Sequence, residues 1–470
     1  MAILSRRIVF LFSVIFLSSS ISSLSFSPAD EYLVNCGSNV DSTVDNRRFV
    51  SDASKVKFFS SEGSVSLQGE DLAPNVPQIY RTARVFARQA KYEFNVREKG
   101  THMVRLHFNR LSSSTIDLND AEFHVTVNGH VVLRNFNGNN DDSSSKVREF
   151  LIWVDVGEVV VRFVPSEDSK LAFVNAIEVI SAPKDLIADV ATSVSRDGTG
   201  KLNGLGKQAM EVVYRINVGG RKVTPFNDTL WRTWLPDDDL FKTVDASSHK
   251  AYFTGRIKYR PGGASREVGP DNVYNTARVG NVMSWDFPVS TGYKYLIRMH
   301  FCDIASKSLG MLYFNVYING NLAYQDFDIS DATGYVLASP YYMDFVVDLT
   351  ADSNNPLGSS ITVSVGPSNK TSVDEHRVDA MLNGVEIMKM NNSMGSLDGF
   401  VSTDMILTSC PNRRNLSIFI AMMASMCIFM SFYVVVQRKK VRDDISWTKL
   451  PMDVRQDNLK SGNQFSARKP

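Results

Sequence analysis

The stretch that decides the fold is Phe123-His124-Val125-Thr126-Val127-Asn128-Gly129, which recurs as Phe314-Asn315-Val316-Tyr317-Ile318-Asn319-Gly320. In both copies apolar and polar residues alternate up to an Asn-Gly pair, a pattern typical of a strand that ends in a tight hairpin turn. The stretch therefore predicts the same β-hairpin twice along the chain.

Further motifs repeat around this hairpin in the same order. The first two pairs are Val34-Asn35-Cys36-Gly37 with Ile216-Asn217-Val218-Gly219, and Tyr80-Arg81-Thr82-Ala83-Arg84-Val85 with Tyr274-Asn275-Thr276-Ala277-Arg278-Val279. The next pair is Arg105-Leu106-His107-Phe108 with Arg298-Met299-His300-Phe301. The last pair is Val174-Asn175-Ala176-Ile177-Glu178-Val179 with Leu382-Asn383-Gly384-Val385-Glu386-Ile387. Matched motifs in a fixed order indicate an internal repeat. We place the two units at 28–184 and 210–390.

Each unit reads as short strands separated by Gly, Asn, Asp and Pro, and long amphipathic helices are absent from both patterns. This composition predicts an all-β fold of two tandem β-sandwiches. Residues 185–209, with Asp197-Gly198-Thr199-Gly200, are a candidate linker. Leu186, Ile187 and Val190 in that segment could also pack as a short bridge.

The N-terminus has the order of a cleaved secretory signal, with Arg6-Arg7, the ten-residue, mostly apolar run Ile8 to Leu17 and then a Ser-rich stretch within 1–25. Residues 416–436 form an uncharged apolar run long enough to cross a bilayer of roughly 30 Å as a helix. The denser basic flank, Arg438-Lys439-Lys440, follows this run and predicts a cytoplasmic C-terminus. We therefore expect a single-pass type I protein with a stalk at 391–415 and a disordered tail at 437–470.

The doubled motif set, behind a signal peptide and before one span, resembles the plant malectin-like receptor kinases of the FERONIA and THESEUS group. The resemblance covers roughly residues 28–440 and implies two packed malectin-like sandwiches at the plasma membrane, facing the cell wall. It also implies perception of secreted rapid-alkalinisation-factor peptides with lipid-anchored co-receptors or related receptor kinases, and binding of wall polysaccharide such as pectin.

A serine/threonine kinase follows the span in that family. The 34 residues after Val436 contain no Gly-rich loop, catalytic lysine or catalytic aspartates. We therefore expect no enzyme in this sequence. Two explanations stay open, a member that lacks a kinase and a truncated record of a receptor kinase.

Aromatic side chains that could stack on sugars are scarce at the positions that malectin uses. Malectin's tyrosine after the Thr-x-Arg motif corresponds to Val85 and Val279, so only Tyr80 and Tyr274 are weak candidates for ligand binding. The alternative is that both tyrosines are structural residues at a strand edge.

Basic side chains offer another route to acidic pectin or to a partner surface. Alternation predicts that Arg256, Lys258 and Arg260 lie on one face of a strand, where they could meet uronate carboxylates. A solvated edge strand protected by charge would have the same pattern.

The sequence gives little support for nucleic-acid binding, a metal or cofactor site, or a phosphate-binding loop. The 51 basic and 50 acidic residues nearly balance, which excludes nucleic-acid binding through bulk basicity. His107 and His300 occupy matched strand positions and are expected to be structural, and no spacing predicts a metal site or a cofactor. Residues 198–207 lack the spacing of a phosphate loop.

The cysteines and sequons complete the candidate sites. Cys36, Cys302 and Cys410 lie outside the span, so at least one is expected to be free or to pair with another chain, and a Cys36–Cys302 disulfide would join the two units. Asn227, Asn369 and Asn391 fit the N-glycosylation pattern.

The sequence thus predicts a cell-surface receptor-like protein that binds a secreted peptide, wall polysaccharide or both. Without a kinase it would act with full-length relatives or as a decoy that sequesters their ligand. A membrane-anchored carbohydrate-binding module and an ectoenzyme acting on wall glycans are the alternatives.

Overall fold

The computed structural model describes residues 26–53, 59–60, 63–70, 72–111, 113–114, 116–137, 147–155, 157–167, 169, 171–242, 247–350, 359–368, 380–409 and 413–443. The predicted signal peptide, most of the predicted tail, Asn369 and Cys410 lie outside these ranges.

The first unit consists of strands joined by short turns. They are β1 (Glu31–Asn35), β2 (Ser42–Val44), β3 (Arg47–Ser51), β4 (Phe59–Ser60), β5 (Ser64–Gln68), β6 (Thr82–Phe86), β7 (Ala90–Val96), β8 (Gly100–His107), β9 (Phe123–Val127), β10 (His130–Phe136), β11 (Val147–Val154), β12 (Gly157–Pro165), β13 (Ala172–Val174) and β14 (Ala176–Ser181). One sheet has the order β2-β3-β1-β14-β8-β11, a second has the order β10-β9-β12-β7-β4, and β13-β6-β5 forms a small third sheet.

The second unit repeats this arrangement. Its strands are β15 (Val190–Ser195), β16 (Gly198–Asn203), β17 (Met210–Asn217), β18 (Leu235–Pro236), β19 (His249–Tyr252), β20 (Thr276–Gly280), β21 (Met283–Val289), β22 (Lys294–Cys302), β23 (Tyr313–Ile318), β24 (Asn321–Asp328), β25 (Pro340–Asp348), β26 (Ser359–Pro367), β27 (Ala380–Leu382) and β28 (Gly384–Met390), with short helices α1 (Asp271–Tyr274) and α2 (Ile329–Ala332). Sheet β17-β28-β22-β25-β15-β16, in which β18 also pairs with β17, faces sheet β21-β26-β23-β24. Strands β19-β20-β27 form a small third sheet.

The decisive hairpin forms in both units as predicted. Strand β9 pairs with β10 and β23 with β24, and the turn residues Asn128 and Asn319 have φ angles of 45° and 51°. Asparagine tolerates this left-handed region better than most residues, and Gly129 and Gly320 follow it with φ angles of 84° and 73°.

The predicted linker is part of the second unit's sheet. Strands β15 and β16 form a hairpin, and β15 pairs in parallel with β25 through Thr192↔Phe345 and Ser193↔Val346. The hairpin covers an edge of β25 that would otherwise be open, which explains why the segment folds as strands.

One sheet runs through both units. Strand β11 of the first unit pairs with β17 of the second through Phe150↔Glu211 and Leu151↔Met210, which produces a single sheet of 13 strands. Each sandwich has its own buried core, and a third apolar cluster lies between the units. Met103, Leu230 and Met388 belong to this third cluster.

The predicted stalk does not hang free of the units. Residues 391–409, which we call the strap, return to the first unit, where Val131 forms a parallel bridge with Ser396. The strap ends in helix α3 (Thr403–Ser409), whose Ile406 is buried against Val131 and Val164. Apolar side chains such as Leu397, which is fully buried, explain why this segment packs.

Helix α4 (Arg413–Asp443) contains the predicted span, and its segment Ala421–Lys440 is long and apolar enough to cross a membrane. The expectation of one transmembrane helix is confirmed. The expectation of disorder from residue 437 is wrong for 437–443, which continue the helix. Lys and Arg are good helix formers and interact favourably with the negative end of the helix dipole.

Candidate functional site

A buried chain of hydrogen bonds lies behind Tyr80. The Tyr80 hydroxyl is 2.9 Å from Nδ1 of His107, and Nε2 of His107 is 2.9 Å from Oε1 of Glu178. An ionised carboxylate only accepts hydrogen bonds, so Nε2 carries a proton. In the neutral imidazole Nδ1 then accepts from the tyrosine hydroxyl. His107 and Glu178 are buried.

The second unit contains the same chain at the matched positions. The Tyr274 hydroxyl is 2.9 Å from Nδ1 of His300, and Nε2 of His300 is 3.2 Å from Oε1 of Glu386. All three side chains are buried, and burial lowers the pKa of His300 despite the favourable Glu386 carboxylate. His300 is therefore neutral at pH 7. The expectation that the matched histidines are structural agrees with this geometry.

An ion-pair network joins the two hydrogen-bond chains across the unit boundary. From the first unit to the second it runs Glu178–Arg105 at 3.0 Å, Arg105–Glu149 at 2.6 Å, Glu149–Arg215 at 2.7 Å and Arg215–Glu386 at 2.8 Å. Each of these side chains is at most 9 % exposed. Burial strengthens the attraction within such ion pairs, and it raises the free-energy cost of a charge that has lost its partner.

The carboxylates of this network stay ionised well below neutral pH. Burial raises the pKa of Glu149, but Arg105 and Arg215 outweigh burial and lower this pKa to about 2. Burial likewise opposes ionisation of Glu178, whose pKa Arg105, His107 and Arg47 hold well below its usual value. The network is thus a fixed charge array, and proton exchange within it is not expected at pH 7.

Two arginines fasten the neighbouring segments. Arg105 donates through Nη2 to the carbonyl of Leu230 in the second unit at 2.7 Å. The matched Arg298 donates through Nη1 to the carbonyl of Leu186 at 2.7 Å and forms a bidentate pair with Asp344. Sequence reasoning missed these roles. The available signal was the repeated Arg-x-His on an otherwise apolar strand.

Tyr80 and Tyr274 are therefore committed to internal hydrogen bonds. Tyr274 is fully buried, and Tyr80 is half-buried over His107 with ring centroids 5.7 Å apart. A ring that binds sugar must present a face to solvent, and the face of Tyr274 is unavailable. The geometry supports the structural alternative for both residues.

The basic residues lie on one exposed face, but not in a strand. No strand is assigned over 256–260, although the alternation is real, since Arg256, Lys258 and Arg260 are exposed while Ile257 is buried. Arg260 donates through Nη1 to the carbonyl of Gly334 at 3.3 Å. The expected strand is absent there because the backbone of this segment hydrogen-bonds to a loop and not to a neighbouring strand. The N–H of Lys258 donates to the carbonyl of Ala338.

A groove of about 390 Å³ opens beside this basic face. Gly262 and Gly263 form one wall, and the β15–β16 hairpin contributes Lys201. Tyr324, Tyr341 and Tyr342 also line the groove. Aromatic rings and a basic side chain thus face the same space in this groove.

The sequons differ in accessibility. Asn227 is exposed in a short turn. Asn391 is half-buried, and its Oδ1 accepts a hydrogen bond from the backbone N–H of Ala209 at 3.0 Å. Glycosylation at both stays a prediction, and Asn391 is the less accessible acceptor. Asn369 lies outside the described residues.

Cys36 and Cys302 are free thiols in this structure. Cys36 lies in the core of the first unit, whereas Cys302 belongs to a separate cluster around Tyr274 in the second. The Cys36–Cys302 disulfide is not formed, because each thiol is enclosed by its own unit. Burial also raises the pKa of both thiols, which disfavours the reactive thiolate.

The sequence profile of the malectin-like domain matches residues 34–390 of this chain. A relative from Arabidopsis thaliana, "Probable receptor-like protein kinase At5g24010", is 42 % identical over 79 % of this chain and 45 % of its own length. THESEUS 1 from the same plant is 36 % identical over 83 % of this chain and 45 % of its own length. The chain thus spans about half the length of these relatives.

Solved structures agree with this similarity. The plant receptor-like kinase FER is 30 % identical with a TM-score of 0.67, over 79 % of this chain and 99 % of the solved one. The FER chain crystallised in complex with the peptide RALF23 and with LLG2 is 30 % identical with a TM-score of 0.66, over 80 % and 99 %. The ANXUR1 extracellular domain from Arabidopsis thaliana is 26 % identical with a TM-score of 0.69, over 79 % and 99 %.

Proposed function

The chain belongs to the malectin-like receptor kinase family of the FERONIA and THESEUS group, and from this premise we propose that it binds a secreted peptide at the plasma membrane. The proposal rests on the similarity to the FER chain in the RALF23–FER–LLG2 complex, of which our chain covers 99 %. The ligand is a peptide of the rapid-alkalinisation-factor type, and a small lipid-anchored protein is the co-receptor.

The rigidity of the paired units supports this function. The continuous sheet and the buried ion network hold both sandwiches in one arrangement, so binding a peptide costs little reordering. In this proposal the extracellular part is oriented outward by the signal peptide, and the span holds it at the membrane. The bound peptide signals through an associated kinase-bearing relative, or is sequestered from that relative.

The decisive experiment measures binding of a synthetic RALF23 peptide to the full chain in detergent, with and without purified LLG2. We expect saturable binding that LLG2 strengthens, and no binding of a scrambled peptide of the same composition. Absence of saturable binding under both conditions would overturn the peptide proposal. Co-precipitation of THESEUS-type kinases from plant membranes then separates the co-receptor role from the decoy role, since only the first predicts a stable complex.

The exposed basic face carries a second candidate function, binding of acidic wall polysaccharide. Arg256, Lys258 and Arg260 present their charges to solvent on one side of an extended segment. Binding of an oligogalacturonide probe should weaken as salt rises, because exposed charges are screened. Lys258→Glu should lower the affinity for the probe, whereas Lys207→Glu, at an exposed position in the separate turn Leu205–Lys207, should not. Equal binding by both variants would reject this candidate.

A further inference from the structure

The two hairpins leave equivalent outer edges in the two units. In the first unit Val131 of β10 pairs with Thr126, and in the second Leu322 of β24 pairs with Tyr317 at the matched position. Leu322 follows Asn319-Gly320 by the same interval that separates Val131 from Asn128-Gly129. The two edges therefore present their backbone groups in the same directions.

In the first unit the strap occupies this edge. The backbone N–H of Val131 donates to the carbonyl of Gly395 at 3.2 Å, and the N–H of Leu397 donates to the carbonyl of Val131 at 2.8 Å. The side chain of Leu397 is fully buried in the first core. Asp398 then accepts from the backbone N–H of Arg134 at 2.7 Å. The Gly395-Ser396-Leu397-Asp398 segment, which meets the edge through a single bridge at Ser396, is thus the occupant of this edge in the first unit.

In the second unit the equivalent edge has no such occupant among the described residues. Strand β24 ends its sheet, and although the β15–β16 hairpin lies beside β24, no described residue bonds to the outward backbone groups of Leu322. In the register of β10 these groups point away from β23, and the Leu322 side chain is 41 % exposed. An unpaired edge of this kind is a template for an added strand.

The surroundings of β24 favour an apolar residue followed by an acidic one. The groove of about 390 Å³ lies beside β24 and is lined by Tyr324 and Tyr341, which can receive an apolar side chain. Lys201 lines the same groove, and Arg260 reaches Gly334 just beyond α2. Asp344 also lines the groove, but its carboxylate is paired with Arg298. Lys201 can therefore complement a carboxylate in the position that Asp398 takes in the first unit.

We propose that the outer edge of β24 binds an extended peptide segment of a partner protein in parallel register with Leu322. The segment contributes one carbonyl and one N–H to Leu322, places an apolar side chain in the groove and directs the following acidic residue toward Lys201. This site rests on the proposed function only in that both require a peptide partner.

The test uses the full chain in detergent and a fluorescent peptide with the strap sequence of residues 392–403 as the probe. Leu322→Pro removes the outward N–H that β23 does not use, and proline is tolerated at such edge positions. We expect at least a tenfold weaker affinity for this variant. Leu322→Thr keeps the N–H and should bind within twofold of the unchanged chain.

Modified probes test the same contact without altering the protein. N-methylation at the peptide position of Leu397 removes the donor to Leu322 and should abolish binding. N-methylation at the position of Ser396, whose N–H points away from the edge in this register, should have little effect. Equal binding by Leu322→Pro, or no binding of the unmodified probe, would overturn the site. RALF23 binding in the same preparation is scored separately, so each proposal can fail without the other.

Discussion

Glu149 of the first unit lies 2.7 Å from Arg215 of the second, and the same carboxylate is 2.6 Å from Arg105 of its own unit. One side chain thereby links the two repeats through buried charges. Because Arg215 also contacts Glu386, the hydrogen-bond chains behind Tyr80 and Tyr274 become parts of one network. The two sandwiches are joined by electrostatics as well as by the shared sheet.

Removing the central charge should destabilise the protein. Glu149→Gln leaves Arg105 and Arg215 without their shared anion, and breaking a buried pair costs about 3–5 kcal/mol of unfolding free energy. Denaturant unfolding measures this loss. Glu158→Gln, at an exposed position, is the matched control and should change stability little. Equal unfolding midpoints for the two variants would contradict a structural role for Glu149.

The same carboxylate predicts an acid dependence of stability. The pKa of Glu149 is depressed from 4.5 to about 2, so its contribution is complete above pH 4.5 and is lost as pH falls toward 2. Over this range the unchanged chain should lose about 3 kcal/mol more than Glu149→Gln. Unfolding curves at several pH values measure the gap between the two proteins. A gap that stays constant from pH 4.5 to 2 would refute the assigned pKa shift.

The two matched tyrosines should respond differently to loss of the hydroxyl. Tyr274→Phe leaves the buried Nδ1 of His300 without its donor and should cost about 1–3 kcal/mol. Tyr80 is half-buried, so water can replace its hydroxyl and Tyr80→Phe should cost less. Thermal unfolding compares the two variants. A larger loss for Tyr80→Phe than for Tyr274→Phe would show that burial does not govern this contact.

The strap should loosen when its buried anchor is shortened. Leu397→Ala removes a fully buried side chain, a change that costs about 2–5 kcal/mol in well-packed sites. We expect faster hydrogen exchange at the Val131 amide, which donates to Gly395 of the strap. Met405→Ala, at a position that is 56 % exposed, is the control and should leave this exchange unchanged. Unaltered exchange in Leu397→Ala would mean that the strap is held by other contacts.

Glycan occupancy should follow exposure. Asn227→Gln should remove one glycan from the full chain, because Asn227 is exposed in a turn. Asn391→Gln should remove less glycan mass than Asn227→Gln, because the Asn391 amide oxygen accepts from Ala209 and the side chain is half-buried. Intact-mass measurement before and after deglycosylation distinguishes the variants. A mass loss only in Asn391→Gln would reverse this assignment.

Local patterns in the sequence were sufficient to predict the repeated fold. The alternation before Asn128-Gly129 and Asn319-Gly320 specifies a strand and its turn through nearest neighbours alone. The apolar run within 416–436 likewise predicts a spanning helix by its length. The resemblance of the doubled motifs to malectin-like receptor kinases was confirmed by the family profile over residues 34–390.

Contacts between residues far apart in the chain decided what the candidate residues do. The periodicity of the sequence could not show that the Tyr274 hydroxyl hydrogen-bonds to His300, or that residues 185–209 extend a sheet. It also could not show that the strap pairs with Val131. These pairings depend on which strand edges remain open after each sandwich closes. A sequence pattern specifies which face of a strand is apolar, but only the assembled fold determines which distant backbone satisfies its edge.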